Sequence, residues 1–82
     1  SLGVIAVRKG YVEEGERLIR YAHQIFEECG HKAGEATSLI NLAAVASLRG
    51  DLVEQRRLNG EAIAIRRALG MPIHPWFLEQ GY

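Results

Sequence analysis

Three histidines, one cysteine and a few clustered charges are the side chains of this 82-residue sequence with chemistry to offer. A zinc site asks for histidines four apart on one helix face, or for histidines clustered with cysteines. His23, His31 and His74 are too scattered for either pattern, so they read as solvated or capping residues, and no metal or other cofactor is expected. Cys29 stands beside Gly30 at an expected helix C-terminus, where the helix dipole disfavours a thiolate. It reads as a buried structural cysteine. Glu13, Glu14 and Glu16 have the composition of a proton-transfer cluster, but they fall where a helix is expected to begin. Carboxylates there complement the positive end of the dipole. Arg56-Arg57 and Arg66-Arg67 resemble a phosphate-binding stripe, yet Glu54 and Glu61 are interspersed with them. A mixed solvated face is the simpler reading. No glycine-rich phosphate loop is present, and nothing assembles a nucleophile, a base and oxyanion donors. The sequence is not expected to be an enzyme.

The totals narrow the classes further. Ten acidic and ten basic residues cancel, leaving no long-range field to draw in nucleic acid or an anionic membrane. Hydrophobic residues make up 48% and charged residues 24%, a globular rather than disordered composition. No apolar run approaches the ~18 residues that a membrane span needs. A single cysteine builds no disulfide framework, which fits a reducing, cytoplasmic compartment. Both prolines, Pro72 and Pro75, lie near the C-terminus, so the rest is free to be helical. With one threonine and no β-branched alternation, the expected class is all-α.

The elements that position these residues are set out by an internal repeat. Arg8-Lys9-Gly10-Tyr11-Val12 matches Leu48-Arg49-Gly50-Asp51-Leu52 at an offset of 40. The same offset aligns Leu2 with Leu42, Ala6 with Ala46, Glu14 with Glu54, Leu18 with Leu58, Ala22 with Ala62, Ile25 with Ile65 and Gly30 with Gly70. No insertion is needed. Each glycine is placed like one just past a helix end. Asp51, with Glu54 three residues on, has the pattern of a helix N-cap; Tyr11 takes its place in the first unit and predicts a weaker start. Apolar residues recur at helical spacing through Leu18, Ala22, Ile25 and Cys29, and again through Leu58, Ala62, Ile65 and Leu69. Helices are expected at 2–9, 12–29, 33–49 and 52–69. Gly34 and Gly60 fall inside them, where they permit close packing.

Asn41-Leu42-Ala43-Ala44-Val45-Ala46-Ser47-Leu48-Arg49-Gly50-Asp51-Leu52 resembles the first helix and turn of a tetratricopeptide repeat. Leu42 and Ala43 match that family's Leu and small positions, and Ala62 matches the small residue of its second helix. The first unit matches through Leu2-Gly3, Ala6, Gly10 and Ala22, so the resemblance runs over residues 2–70. It departs in its period of 40, where the ordinary repeat has about 34, and in lacking a proline after the first unit. Gly15 and Gln55 stand where an alanine is usual. The long form is similar to repeats in large bacterial signalling regulators. A HEAT-like two-helix repeat has a comparable period and is the alternative fold.

The resemblance implies an α-α superhelix: unit one at 2–30, unit two at 33–70 and a partial third unit at 75–82, read as a piece cut at both ends. It implies a partner groove walled by first helices: Val4, Val7 and Arg8 from unit one, and Thr37, Ile40, Asn41, Ala44, Ser47 and Leu48 from unit two. A wall of that composition suits an amphipathic helix or an extended peptide. The apolar ends, Trp76-Phe77-Leu78 and Leu2, Val4 and Ile5, point to self-association, because a repeat unit cannot bury its face alone. The expected function is a protein-interaction or oligomerisation segment of a larger regulator. A passive spacer and a small-molecule-sensing segment are the alternatives.

Overall fold

The computed structural model describes residues 2–82, with side chains described from Gly10 onward. Helices account for all of its regular structure: α1 (Leu2–Cys29), α2 (Lys32–Leu48), α3 (Leu52–Ala68) and the short α4 (Pro75–Glu79). Among the described residues there is no strand. Among the described residues α1 packs on α2 and α2 on α3, with no backbone packing of α1 on α3. The result is a thin slab of 45 × 31 × 17 Å. α2 lies in the middle.

Four helix ends are closed by the same backbone device. At Gly30, Gly50, Gly70 and Gly81 the chain takes a positive φ of 69, 74, 69 and 90°. The following residue's N–H then reaches back into the helix: His31 to the Phe26 carbonyl at 2.9 Å, Asp51 to Ala46 at 2.9 Å, Met71 to Arg66 at 2.9 Å and Tyr82 to Phe77 at 3.1 Å. This is the Schellman arrangement, which supplies donors to carbonyls that the helix end leaves unpaired. The helix starts are closed by side chains. His31 Nδ1 accepts from Gly34 N at 2.8 Å, Asp51 Oδ1 from Glu54 N at 3.1 Å, and His74 Nδ1 from Trp76 N at 3.1 Å.

Gly10 behaves otherwise. The sequence predicts a turn there, between helices 2–9 and 12–29, but α1 runs unbroken from Leu2 to Cys29. The physical difference from Gly50 lies in the next residue. Asp51 offers a carboxylate to the new helix's amides, whereas Tyr11 offers none, so a break at Gly10 would orphan N–H groups that continued helix satisfies. The glutamates are affected in turn. Glu13, Glu14 and Glu16 sit in the middle of α1, not at a helix start. Glu14 pairs with Arg17 at 2.5 Å, and Glu16 pairs with Arg20 at 3.2 Å and with Arg49 at the end of α2.

The core forms where α2 meets its neighbours. Ala36, Leu39, Leu42, Ala43, Leu58 and Ala62 are buried together, with Ile19, Ile40 and Ile65 packed against them. Alanines at 36, 43 and 62 let the backbones approach while leucines fill the gaps. At Gly34 α2 presses close on α1: a Cβ there would lie 2.5 Å from the Phe26 ring. Gly60 faces no such crowding, since a Cβ at that position would meet only Tyr82 Cε1, at 3.9 Å. Cys29, expected to be buried, is exposed. It falls on an α1 stripe that no other described helix covers.

Candidate functional site

α2 is built to show two opposite faces. Its apolar positions at Leu39, Leu42, Ala43, Val45 and Ala46 turn inward and are buried between α1 and α3. The residues three and four apart at Thr37, Asn41, Ala44 and Leu48, with Ser47 beside them, form one exposed stripe. Leu48 is 74% exposed, unusual for a leucine one turn from a packed core. Thr37 spends its hydroxyl on the Ala33 carbonyl at 3.1 Å, which leaves the methyl outward at the head of the stripe. Asn41 is the amide at its centre. All six α2 residues expected from sequence lie on this side, but Ile40 is only half exposed and packs against the core, so it belongs as much to stability as to a surface. Val4, Val7 and Arg8 lie outside the residues whose side chains are described.

The opposite face holds a cleft that the sequence does not announce. It measures about 370 Å³ and is lined by His23 and Glu27 of α1, Lys32, Glu35 and Leu39 of α2, and Glu61, Ala64 and Ile65 of α3. An apolar extension of about 360 Å³ continues along Ala64, Ile65, Ala68 and Leu69. Lys32, Glu35 and Leu39 are spaced at three and four, so a helical wheel of α2 carries the signal for this second face. What hides it is Glu35, a charged residue that is nevertheless buried, with Lys32 Nζ 3.1 Å from its carboxylate.

Beside the cleft, His23 Nδ1 lies 2.6 Å from Ser38 Oγ and His23 Nε2 lies 3.1 Å from Glu27. A carboxylate, an imidazole and a hydroxyl in line have the composition of a nucleophilic triad. Here the hydroxyl is buried and donates to the Glu35 carbonyl at 2.9 Å, so it is not presented to a substrate. The chain of contacts ties α1 to α2. The other two histidines are helix caps, and among the described residues no group of three metal-binding side chains comes together.

Three of the four candidate stripe arginines are similarly occupied, whereas Arg66 Nε is buried without a partner. Arg57 bridges Glu54 and, at 2.7 Å, Glu61; hydrogen bonding from Arg57 holds the Glu54 carboxyl below the ordinary glutamate range. Arg17 does the same for Glu14. Arg56 lies 5.0 Å over the Tyr82 ring and donates to the Gln80 carbonyl at 3.0 Å, and Arg67 donates to the Tyr82 carbonyl. These contacts seat the C-terminal residues on α3. Of the predicted association edge, Trp76 and Leu78 are exposed, while Phe77 is half-buried and packs edge-on against Trp76 at 5.0 Å and Tyr82 at 6.1 Å. No helix of the described residues is long and apolar enough to cross a membrane. Compared with protein-family models, with curated proteins and with solved structures, the chain matches none of them.

Proposed function

We propose that the chain is a tetratricopeptide-like interaction scaffold, a non-catalytic segment of a larger cytoplasmic regulator that holds a protein or peptide on the open face of α2. The observation that carries this reading is the Thr37, Asn41, Ala44, Ser47 and Leu48 stripe. It is exposed and continuous, and the helix that carries it is otherwise the most buried of the four. A helix held on two sides presents its third face with little conformational freedom left to lose on binding. An apolar end at Leu48, an amide at Asn41 and small residues between them suit a peptide that seats a hydrophobic side chain and bonds its backbone. Neighbour-only packing and recurring glycine-capped turns further support an array that propagates by repetition, as in the superhelical reading. A HEAT-like array would share this packing, but the resemblance at the Gly50-Asp51 turn favours the tetratricopeptide form.

The test is capture of a partner by the chain compared with its Leu48→Asp and Asn41→Ala variants. Ile40→Asp is a poor probe, because Ile40 packs on the core and its loss would unfold the helix. A partner retained by the parent chain and lost with both variants, at unchanged helicity, supports the reading. Equal capture by all three removes the stripe from the function. A passive spacer captures nothing in any form.

A further inference from the structure

The cleft behind α2 takes its floor and walls from three helices. Glu35 and Leu39 of α2 form the floor and are buried, while Glu27 of α1 and Glu61 of α3 stand exposed on the two walls. Every lining residue falls between His23 and Leu69, and His23 lies about 20 Å along α1 from Gly10 at 1.5 Å per residue. The shape is therefore set by helical stretches whose side chains are all described.

Glu35 needs a physical account. A buried carboxylate is unfavourable unless it is paired. The Glu35 side chain is 7% exposed, and Lys32 Nζ lies 3.1 Å from its Oε2; among the described residues no other side chain pairs with it. Lys32 is itself 62% exposed, an ammonium on a flexible four-carbon stem. A place in the first turn of α2 favours a carboxylate but does not require it to be buried at the bottom of a cleft. The charge around it is also unbalanced. Glu27, Glu35 and Glu61 line the cleft against the single ammonium of Lys32, and Arg57, which reaches Glu61, is shared with Glu54. In a chain of zero net charge this acidic excess is local. Past Lys32 the surface turns apolar along Ala64, Ile65, Ala68 and Leu69.

We propose that this cleft binds a small amphipathic primary amine. Its ammonium takes the place of Lys32 at Glu35, and its apolar chain lies along Ala64, Ile65, Ala68 and Leu69. The exchange is of like for like: Glu35 keeps an ammonium partner, Lys32 regains rotamer freedom in water, and apolar surface is covered. An anionic ligand would face three glutamates instead. A bare metal ion has no cage here, since among the described residues no three metal-binding groups come together. The cleft and its extension, about 370 and 360 Å³, are each of a size that holds a small molecule. The site lies across α2 from the Thr37 to Leu48 stripe and does not depend on a partner there.

Isothermal titration calorimetry of the 82-residue chain tests this, with octylammonium chloride below its micelle threshold as the probe and octanoate and methylammonium as controls. Octylammonium should bind one saturable site, at least about tenfold tighter than either control. Glu35→Gln should weaken it about tenfold or more, and Lys32→Ala, which removes the competing internal ammonium, should tighten it about tenfold. Ala64→Lys sets a second ammonium on the exposed wall and should abolish binding. If Glu35→Gln loses helicity, Lys32→Ala and Ala64→Lys decide the matter, because both positions are exposed. Three results would each overturn the proposal: no saturable heat with octylammonium, octanoate binding as tightly as octylammonium, or binding indifferent to both Lys32→Ala and Ala64→Lys.

Discussion

Side chains that invite a catalytic or metal-binding reading are used in this molecule to end and join helices. His31 is the clearest case: its Nδ1 accepts the Gly34 N–H, and its ring lies 5.2 Å from Phe26. Removing that acceptor with His31→Ala should cost about 1 kcal/mol, and His31→Asn, which restores an acceptor, should recover most of it. Thermal melts followed by circular dichroism would show the loss as roughly 4–8 °C. A melt unchanged by His31→Ala would mean that the cap contributes nothing. Exposed ion pairs make a second prediction. The Glu54 carboxyl, bonded and attracted by Arg57, titrates below its ordinary value of 4.5. A group whose folded pKa is depressed adds stability above its unfolded pKa and loses that contribution as pH falls through the folded value. The window is therefore acidic, below the ordinary glutamate range, and the effect is small because the pair is exposed. Carboxyl titration by NMR should return Glu54 to the ordinary value in Arg57→Ala. A midpoint unaffected by that substitution would show that the two do not interact.

At the scale of elements, glycines at matching repeat positions have different roles, and substitution separates them. Gly50 has a φ of 74°, where an added Cβ is strained, so Gly50→Ala should destabilise by about 1–2 kcal/mol. Gly10 lies within continuous α1 with open space around it, so Gly10→Ala should raise helicity and stabilise by about 0.5–1 kcal/mol. If Gly10→Ala destabilised as Gly50→Ala does, the break predicted from the repeat would be present after all. A third site tests helix approach. Gly34→Ala pushes a methyl into Phe26 and should cost about 1–3 kcal/mol despite the gain in helix propensity, whereas Gly60→Ala should be neutral or stabilising. Equal melts for these two would contradict the packing of α1 on α2.

These glycines also show how far the sequence can be read. The ends at Gly30, Gly50 and Gly70 are legible because glycine, cap and apolar period agree there, and Pro75 marks the start of α4. The difference at Gly10 has a local cause: Tyr11 supplies no cap, and a glycine without one does not stop a helix. Cys29, Leu18 and Ile25 depart from expectation for a tertiary reason. Helical spacing says that a stripe is apolar, not whether a neighbour exists to cover it. For the candidate site, the α2 positions from Thr37 to Leu48 are legible as one face. Ile40's share in the core and the His23-Ser38 tie are not, because both depend on which helix lies alongside.

Taken whole, the molecule is a slab in which one central helix is held by two flanking ones, so its surfaces are well separated. The α2 stripe, the charged cleft behind it and the exposed apolar residues of α1 face different directions or lie on different helices. Leu48→Asp should therefore change capture without changing helicity. The central claim is that the open face of α2 is where a partner sits. Its most direct test places a photoreactive amino acid at Ala44, on the stripe, and at Ala64, exposed on α3, in otherwise identical chains mixed with the captured partner. Irradiation should give a covalent adduct of defined added mass from position 44 and none from 64. Adducts of equal yield from both positions, or from 64 alone, would contradict the account.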